Sequence, residues 1–278
     1  MRRGLGSVKG RLAVVTGAAS GIGLATAREL ARRGAELALC DVDGERLERA
    51  AHELMARGAL VTFRTTDVTR VDEVTRFATE TIRNGRAPDL LVNAAGVLVL
   101  ASFAHTTPDD WNHVIDVNLK GPVYVCRAFL PAMIARGGGG AVVNVASASA
   151  FGTHSELAAY GSTKHALLGL TQALADELAE HAISVSAVCP GFVDTPILER
   201  ARVRGDDPET ARHAAAELLR RRRLSPERVA ERIVRAAERG IPVLPVGVEA
   251  RALWLLSRLA PARVPALFTA LRRLGSRT

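Results

Sequence analysis

The sequence predicts an α/β fold in which a doubly wound parallel sheet of seven strands carries helices on both faces. Short apolar runs rich in β-branched residues alternate along the 278 residues with segments whose apolar positions recur at helical spacing. The first apolar run is followed by a glycine-rich loop and then by a helical segment, which is the order of a dinucleotide-binding start. Strands that alternate with helices are joined by crossovers, and crossovers produce parallel sheets.

Each element follows from its own pattern. Seven apolar runs are predicted to be strands: Leu12–Thr16, Glu36–Cys40, Val61–Arg64, Leu90–Val92, Ala141–Val145, Ile183–Val188 and Ile241–Val246. Segments with helical periodicity are predicted to be helices: Leu24–Arg33, Glu45–Arg57, Trp111–Met133, about Leu157–Glu180, and Pro208–Arg223. A further helix is predicted after Ser225 as N-cap and Pro226 as first residue, and Gly240 ends it. Asparagine is unfavourable inside a helix, so Asn118 predicts a bend or a polar role.

The length fits one large domain followed by a short extension. Residues 1–247 contain the predicted sheet, and residues 248–278 contain two short amphipathic segments, Glu249–Leu259 and Pro265–Leu274, separated by Pro261. The extension has two interpretations. In one, residues 249–277 make a peripheral contact with an anionic membrane or help an apolar substrate to enter. In the other, their apolar faces pack on the same subunit or on a symmetry mate and leave the arginines in solvent.

Charge is distributed unevenly along the chain. Residues 201–278 contain 17 arginines and 8 acidic residues, a net charge of +9, whereas residues 1–200 have a net charge of −1. A neutral main domain does not favour a nucleic-acid partner, so a role for the positive charge is expected only in the tail.

The cysteines and the N-terminus predict a location. Cys40, Cys126 and Cys189 are far apart in apolar runs, which predicts buried free thiols in a reducing compartment. No apolar segment of signal-peptide type follows the first residues, and no window of about 18 apolar residues is present. We therefore expect a cytoplasmic protein.

The glycine loop predicts where a dinucleotide binds. Gly17, Gly21 and Gly23 have the spacing G-x-x-x-G-x-G, which permits a tight turn and lets the backbone approach a pyrophosphate at the helix N-terminus. Asp41 lies 18 residues after Gly23, near the spacing of the acid that accepts hydrogen bonds from the adenosine ribose. A carboxylate there repels a 2′-phosphate and favours NAD over NADP. The alternative is a solvated aspartate in a turn.

Tyr160 and Lys164 form the predicted catalytic pair. They are four residues apart, so on a helix they share one face. An ammonium group beside a phenol favours the phenolate, so we expect Lys164 to lower the pKa of Tyr160 from about 10 toward neutral pH, where it exchanges a proton with a substrate. Ser147, thirteen residues before Tyr160, ends a strand and is placed to aim its hydroxyl at the same substrate oxygen. Taken alone, Y-x-x-x-K occurs by chance in many helices.

Several polar or small residues follow the predicted strands at one edge of the sheet. They are Asp41, Asp67, Asn93, Ser147 and the Pro190-Gly191 pair. Open α/β sheets bind ligands at the carboxyl ends of their strands, so this convergence indicates one shared site. Asp67 either contacts an adenine amino group or caps the helix after it.

With these motifs assembled, the chain resembles the single-domain short-chain dehydrogenase/reductase family over about residues 10–247. The resemblance is carried by Thr16-Gly17-x-x-x-Gly21-x-Gly23, Asn93-Ala94-Ala95-Gly96, Asn118, Ser147, Tyr160-x-x-x-Lys164, and Pro190-Gly191 with Thr195. It implies a Rossmann-like fold, a nicotinamide cofactor, no metal, and a homodimer or homotetramer.

The resemblance also implies the catalytic roles. Tyr160 is the general acid/base, and Lys164 lowers its pKa and holds the nicotinamide ribose. Ser147, which the thirteen-residue spacing selects over Ser149, hydrogen-bonds the substrate oxygen. Asn118 holds a water that passes the proton onward.

On the cofactor side, the resemblance implies that Asp41 selects NAD. It implies that Asp67 and Val68 flank the adenine, and that Val193 and Thr195 hold the carboxamide. The other residues implied to contact the cofactor are Gly17, Ser20, Gly21, Ile22, Gly23, Asn93 and Gly96.

The implied activity is hydride transfer between NAD and a secondary alcohol or ketone. We expect an apolar substrate of steroid, terpenoid, polyketide or fatty-chain type, because no basic residue is dedicated to a substrate carboxylate. The arginines of the predicted substrate lid, Ile197–Leu224, weaken that inference. The alternative is a cofactor-sensing binding protein whose basic tail engages membrane or nucleic acid. The intact Asn118, Ser147, Tyr160 and Lys164 set argues against it.

Overall fold

A computed structural model describes residues 4–82, 86–222 and 224–268. The strands are β1 (Leu12–Thr16), β2 (Glu36–Asp41), β3 (Val61–Thr65), β4 (Leu90–Asn93), β5 (Val99–Leu100), β6 (Gly140–Val145), β7 (Ile183–Pro190), β8 (Arg202–Val203) and β9 (Val243–Val246). The helices are α1 (Gly21–Arg32), α2 (Gly44–Ala56), α3 (Val71–Thr81), α4 (Pro108–Ile115), α5 (Gly121–Arg136), α6 (Ala158–Glu177), α7 (Pro208–Arg222), α8 (Pro226–Arg239) and α9 (Val248–Leu259).

Within the described residues, seven strands form one parallel sheet in the order β3-β2-β1-β4-β6-β7-β9. The order runs outward from β1 in both directions, so the predicted doubly wound topology is confirmed. The two-residue strands β5 and β8 pair separately, and they were not predicted because two residues carry no periodicity.

Alternate residues of β1 pack on opposite faces of the sheet. Ala13 and Val15 belong to a core shared with α1, α2 and α8, whereas Leu12 and Val14 belong to a core shared with α3, α5 and α6. Because helices cover both faces, the strands are apolar on both sides, which explains the continuous apolar runs in the sequence.

The prediction of a single helix over Trp111–Met133 is wrong. The segment is divided into α4, a π-helical turn at Asp116–Lys120, and α5. Pro122 has no N–H, so the α-helical bond that would end on the Asn118 carbonyl cannot form, and the ladder widens there. The predicted irregularity at Asn118 is therefore confirmed.

The boundaries of α8 follow the predicted capping residues. The Ser225 side chain accepts a hydrogen bond from the backbone N–H of Arg228, and Pro226 is the first residue of the helix. Gly240 adopts φ +63°, the left-handed conformation that favours glycine at a helix end.

The C-terminal extension packs on the chain's own main domain. Leu253 and Trp254 of α9 lie in a cluster with Phe151, and residues 263–268 form another helical turn whose Val264 and Phe268 border the site of Gly152. Packing on the same subunit is therefore confirmed for this inner face. The rest of the predicted helix Pro265–Leu274 lies outside the described residues. Across the described ranges, no helix has both the length and the hydrophobicity to cross a membrane.

Candidate active site

The glycine loop packs tightly against the turn that follows β4. Gly17 has φ +67°, and a Cβ atom on it would lie 2.7 Å from the backbone nitrogen of Ala95. A Cβ atom on Gly23 would lie 2.0 Å from the Gly17 oxygen. The Thr16 hydroxyl accepts hydrogen bonds from the backbone N–H groups of Ala94 and Ala95, both at 3.1 Å. The first and fourth strands are thereby joined at their carboxyl ends.

The N-terminus of α1 is open toward this loop. Ser20 is the N-cap in an extended conformation, its side chain makes no capping hydrogen bond, and the first turn holds no acidic residue. A Cβ atom on Gly21, where φ is +53°, would lie 3.4 Å from the Thr195 methyl group. Ile22 turns inward and packs on the core. Free N–H groups at a positive helix end, bordered by glycine, fit a dinucleotide pyrophosphate.

Asp41 lies beside the loop with its carboxylate fixed. One oxygen accepts from the Ala19 N–H and the other from the Asp43 N–H, each at 3.0 Å. The side chain is buried, with the residue only 7% exposed, so the alternative of a solvated turn aspartate is wrong. Its bonds to the glycine loop and to the next turn leave lone pairs for a ribose.

Asp67 and Val68 lie at the end of the neighbouring strand. The Asp67 carboxylate accepts from the N–H and the hydroxyl of Thr69, and α3 begins only after Arg70. The alternative in which Asp67 caps the helix is therefore wrong, since it holds the preceding turn instead. Val68 is buried and borders Gly121 at the start of α5.

Asn93 enters a buried chain of polar side chains. Its amide donates to Asn144 Oδ1 at 2.8 Å, and the Asn144 amide donates to the Thr171 hydroxyl at 2.9 Å. These bonds connect β4, β6 and α6. The cofactor contact of Asn93 stays a prediction, because its amide is directed at Asn144.

Lys164 lies beside Tyr160 on α6 and reaches the end of β6. Its Nζ is 5.6 Å from the centroid of the Tyr160 ring and donates to the Val145 carbonyl at 3.0 Å. A Cβ atom on Gly96 would lie 3.7 Å from this Nζ and 3.3 Å from Asn118 Oδ1. The absence of a side chain at Gly96 therefore keeps the space beside Lys164 open.

Ser147 and Tyr160 meet through their hydroxyl groups. A Ser147 hydrogen bond acts on the Tyr160 phenol, and Ser147 Oγ also accepts from the Ser149 N–H at 3.1 Å. The contact arises because Ser147 lies two residues after β6, and α6 reaches the end of that strand, where Lys164 donates to the Val145 carbonyl.

The pKa of Tyr160 is shifted opposite to the prediction. Apolar surroundings raise it, and the Ser147 hydrogen bond only partly opposes this rise. Burial also lowers the pKa of Lys164 to about 8. The prediction weighed the ammonium charge alone, whereas desolvation of both groups is the larger effect.

Asn118 connects the loop after β4 to α6. Its Oδ1 accepts from the Val97 N–H at 2.9 Å, and its amide donates to the Val97 carbonyl and to the Thr163 hydroxyl. Thr163 in turn donates to the Tyr160 carbonyl at 2.7 Å. Sequence analysis did not single out Thr163. A hydroxyl three residues after the tyrosine on the same helix is the signal that was missed.

An apolar cluster surrounds Tyr160 under the lid, residues 197–224. Its members include Leu98, Leu157, Ile197, Leu198, Ala211 and Ala215. At the end of the lid, Val193 is buried and pairs with Leu224. The lid thereby packs its apolar side over the tyrosine.

Four lid arginines are engaged in hydrogen bonds or ion pairs, three of them with residues outside the lid. They are Arg200, Arg202, Arg204 and Arg212. Arg200 donates to Asp43, whereas Arg202 and Arg204 both donate to Asp110. Arg212 donates to two backbone carbonyls of the lid. These arginines hold the lid in place, and they do not form a basic subsite beside Tyr160.

The site is continuous along the sheet edge. Asp41 contacts the glycine loop, the loop contacts the turn before Gly96, and Gly96 borders Lys164. Lys164 lies beside Tyr160, and Tyr160 meets Ser147. The fold thus joins the glycine loop, the predicted dinucleotide site, to Tyr160, the predicted proton-transfer group.

Comparison with known proteins agrees with this arrangement. The family model described as short chain dehydrogenase matches residues 11–204. The chain is 35% identical over 255 residues to the probable oxidoreductase EphD of Mycobacterium tuberculosis, a match that spans 90% of this chain but 43% of that longer protein. It is 42% identical over 191 residues to the 1-deoxy-11-beta-hydroxypentalenate dehydrogenase of Streptomyces exfoliatus, covering 68% of this chain and 70% of that enzyme.

A solved structure is similar over almost the whole chain. It is a short chain dehydrogenase/reductase from Burkholderia phymatum in complex with NAD, with a TM-score of 0.82 and 30% identity over 94% of this chain and 96% of that one. The Rossmann-like fold and the match over residues 11–204 lead to one conclusion: this chain belongs to the short-chain dehydrogenase family.

Proposed function

We propose that the protein is an NAD-dependent oxidoreductase that interconverts a secondary alcohol and a ketone, with Tyr160 as general acid/base. The observation that carries this proposal is the hydrogen-bonded and packed continuity from the glycine loop to Tyr160, Lys164 and Ser147. A cofactor-sensing protein would not need a tyrosine, a lysine and a serine assembled beside the cradle.

The residues have defined tasks in the oxidation direction. Tyr160 as phenolate takes the hydroxyl proton of the alcohol, while the Ser147 hydroxyl holds the substrate oxygen. The Lys164 ammonium, 5.6 Å from the ring, stabilises the phenolate against the opposing effect of burial. A bound nicotinamide supplies the hydride acceptor, or the donor in the reverse direction.

Asn118 is proposed to hold the water that relays the proton away from the site. Its side-chain amide is already bonded to Val97 and Thr163. Its backbone carbonyl lacks an α-helical donor because Pro122 has no N–H. A carbonyl in a π-helical turn therefore supports the water-holding role better than the side chain does.

We propose NAD as the preferred cofactor, with NADP bound more weakly. Asp41 supports this choice because, among the described residues, its buried carboxylate accepts from the backbone N–H groups of Ala19 and Asp43 and pairs with no arginine or lysine. A 2′-phosphate beside it would meet repulsion in a poorly solvated place.

The substrate is proposed to be apolar, in the size range of a steroid, terpenoid, polyketide or fatty chain. The apolar cluster around Tyr160 supports this proposal. The partners of Arg200, Arg202 and Arg204 support it further, because these three lid arginines are already paired with carboxylates of the chain. The Streptomyces relative is named for a hydroxypentalenate, which is consistent with a terpenoid substrate class here.

The assembly and the location belong to the same proposal. We propose a homodimer or homotetramer and a cytoplasmic location. The free and buried state of Cys40, Cys126 and Cys189 in the described chain supports a reducing compartment.

A Tyr160→Phe variant tests the mechanism. We expect its kcat to fall by about 10²–10⁴ with NAD affinity retained, because the proton-transfer group is lost and the cradle is intact. Absorbance at 340 nm over a panel of alcohols and ketones measures turnover, and calorimetry measures NAD and NADP binding. The matched control is Tyr124→Phe on α5. Normal turnover by Tyr160→Phe, or tighter binding of NADP than of NAD, would contradict the corresponding part of the proposal.

A further inference from the structure

The outer face of the C-terminal extension combines exposed aliphatic side chains with arginines. Val248, Leu255 and Leu259 are 81%, 50% and 83% exposed, and Leu267 is 38% exposed. Along α9 the first three are spaced i, i+7 and i+11, so they form one stripe on the side opposite the buried Ala250. A stripe of this kind has no partner within the described chain.

The arginines beside this stripe lack the carboxylates that pair arginines elsewhere in the protein. Arg251 and Arg263 are exposed and make no ion pair with the described residues, and Arg258 stacks on the Trp254 ring at 5.5 Å. In the lid, by contrast, arginines pair with Asp43 and Asp110.

The positive charge of the C-terminal extension favours an anionic partner. Between residues 240 and 278 the sequence contains six arginines and one acidic residue, Glu249. A Cβ atom on Gly191 would lie 2.8 Å from Glu249 Cγ, so Glu249 packs against the main domain and not on the outer face. A second copy docked on this surface about a two-fold axis would oppose like charges. Nucleic acid would leave the aliphatic stripe in water.

We propose that the outer face of residues 248–268 docks on an anionic phospholipid surface. The leucines enter the interface between headgroups and acyl chains, and Arg251, Arg258 and Arg263 contact lipid phosphates.

The docking face lies on the opposite side of α9 from the segment that contains Ser147. The inner side of α9 packs on Ala146, Ala150 and Phe151, which flank Ser147 in sequence. Docking would therefore bring the catalytic serine's segment close to the lipid, from which an apolar substrate could reach the site. This link to catalysis rests on the proposed function, whereas lipid binding itself does not.

Flotation of the full-length protein with vesicles tests the proposal. We expect retention on vesicles of phosphatidylcholine mixed with phosphatidylglycerol at low salt, and little retention on pure phosphatidylcholine or at high salt. The double variant Leu255→Ser/Leu259→Ser and the double variant Arg251→Glu/Arg263→Glu should each lower retention by about tenfold or more.

The matched control is Leu60→Ser/Val71→Ser, which removes two aliphatic residues exposed elsewhere on the surface. It should bind vesicles like the unmodified protein. NAD binding by every variant, measured by calorimetry, shows whether the fold is retained and keeps this test separate from that of the proposed function.

Three results would overturn the proposal. One is failure of the unmodified protein to float with the anionic vesicles at low salt, and another is unchanged retention of both tail variants. The third result combines two measurements: the unmodified protein is a dimer by light scattering and binds no vesicles, and Leu255→Ser/Leu259→Ser makes it a monomer. That result would assign the face to contact with a second copy of the chain.

Discussion

Lys164 shows at the residue scale how a proposed catalytic role opposes stability. Its side chain is buried, and its pKa falls from the ordinary value of 10.5 to about 8. Between these values the unfolded chain binds the proton more tightly than the folded chain. The charged lysine therefore destabilises the fold below pH 8, and this destabilisation disappears as the pH rises from 8 to 10.5.

A Lys164→Met variant is expected to be more stable at pH 7 and inactive. The pKa shift corresponds to about 3 kcal/mol, and loss of the hydrogen bond to Val145 offsets about 1 kcal/mol. We expect a gain of about 1–2 kcal/mol in the free energy of unfolding at pH 7, measured in urea, and a smaller gain at pH 10. Destabilisation at pH 7 would contradict this account.

Much of the site at this scale was predictable. Tyr160, Lys164 and Ser147 were identified by spacing, and the structure brings them together. The direction of the Tyr160 pKa shift was not predictable, because it depends on apolar side chains from the lid that are remote in sequence. Thr16 was noticed only as part of a motif, and its bonds to the turn after β4 needed the sheet order.

At the element scale, the lid depends on one buried carboxylate. Asp110 is completely buried and forms a capping box with Thr107 at the start of α4. It accepts hydrogen bonds from Arg202 of β8 and from Arg204, which follows that strand. Burial raises its pKa, but the bonds from Arg204, Thr107 and Arg202 outweigh burial and lower the pKa to about 2.

Asp110→Asn is expected to loosen the lid and to make the free energy of unfolding depend less on pH in the acidic range. Because the folded-state pKa lies below the ordinary 3.8, Asp110 stabilises the fold above pH 3.8, and this stabilisation is lost as the pH falls to 2. The variant should lose about 1–2 kcal/mol at pH 7 and show little difference at pH 2. Urea unfolding at both pH values measures this.

Asp109→Asn is the control for that experiment. Its side chain is 79% exposed and also contacts Arg202, but an exposed pair contributes little. An equal loss of stability in both variants would contradict the central role of Asp110.

For the whole molecule, the extension was the part that sequence left open. Packing on the same subunit describes the inner face, which contacts Phe151, whereas the outer face remains exposed and its membrane contact stays a proposal. Amphipathic periodicity marks an apolar stripe but does not say whether a protein surface lies within reach of it.

Gly152→Ala is expected to displace the extension. A Cβ atom there would lie 2.4 Å from Val264 Cγ1 and 3.0 Å from Phe268 Cε2, so residues 263–268 must move away. We expect a loss of about 1–3 kcal/mol and faster hydrogen exchange in residues 263–268. Gly169→Ala, which meets open space on α6, is the control and should stabilise by about 0.5–1 kcal/mol. Unchanged exchange in Gly152→Ala would contradict the observed packing.

The sequence alone determined the strands, most helices and the residues at the carboxyl edge of the sheet. Periodicity, caps and glycine turns are local features, and parallel topology then brings the strand ends together. Tertiary structure alone decided the pKa of Tyr160, the partners of the lid arginines and the burial of the extension's inner face. These properties depend on desolvation and on pairing between segments that are far apart in the chain. Neither can be predicted from the residues adjacent in sequence.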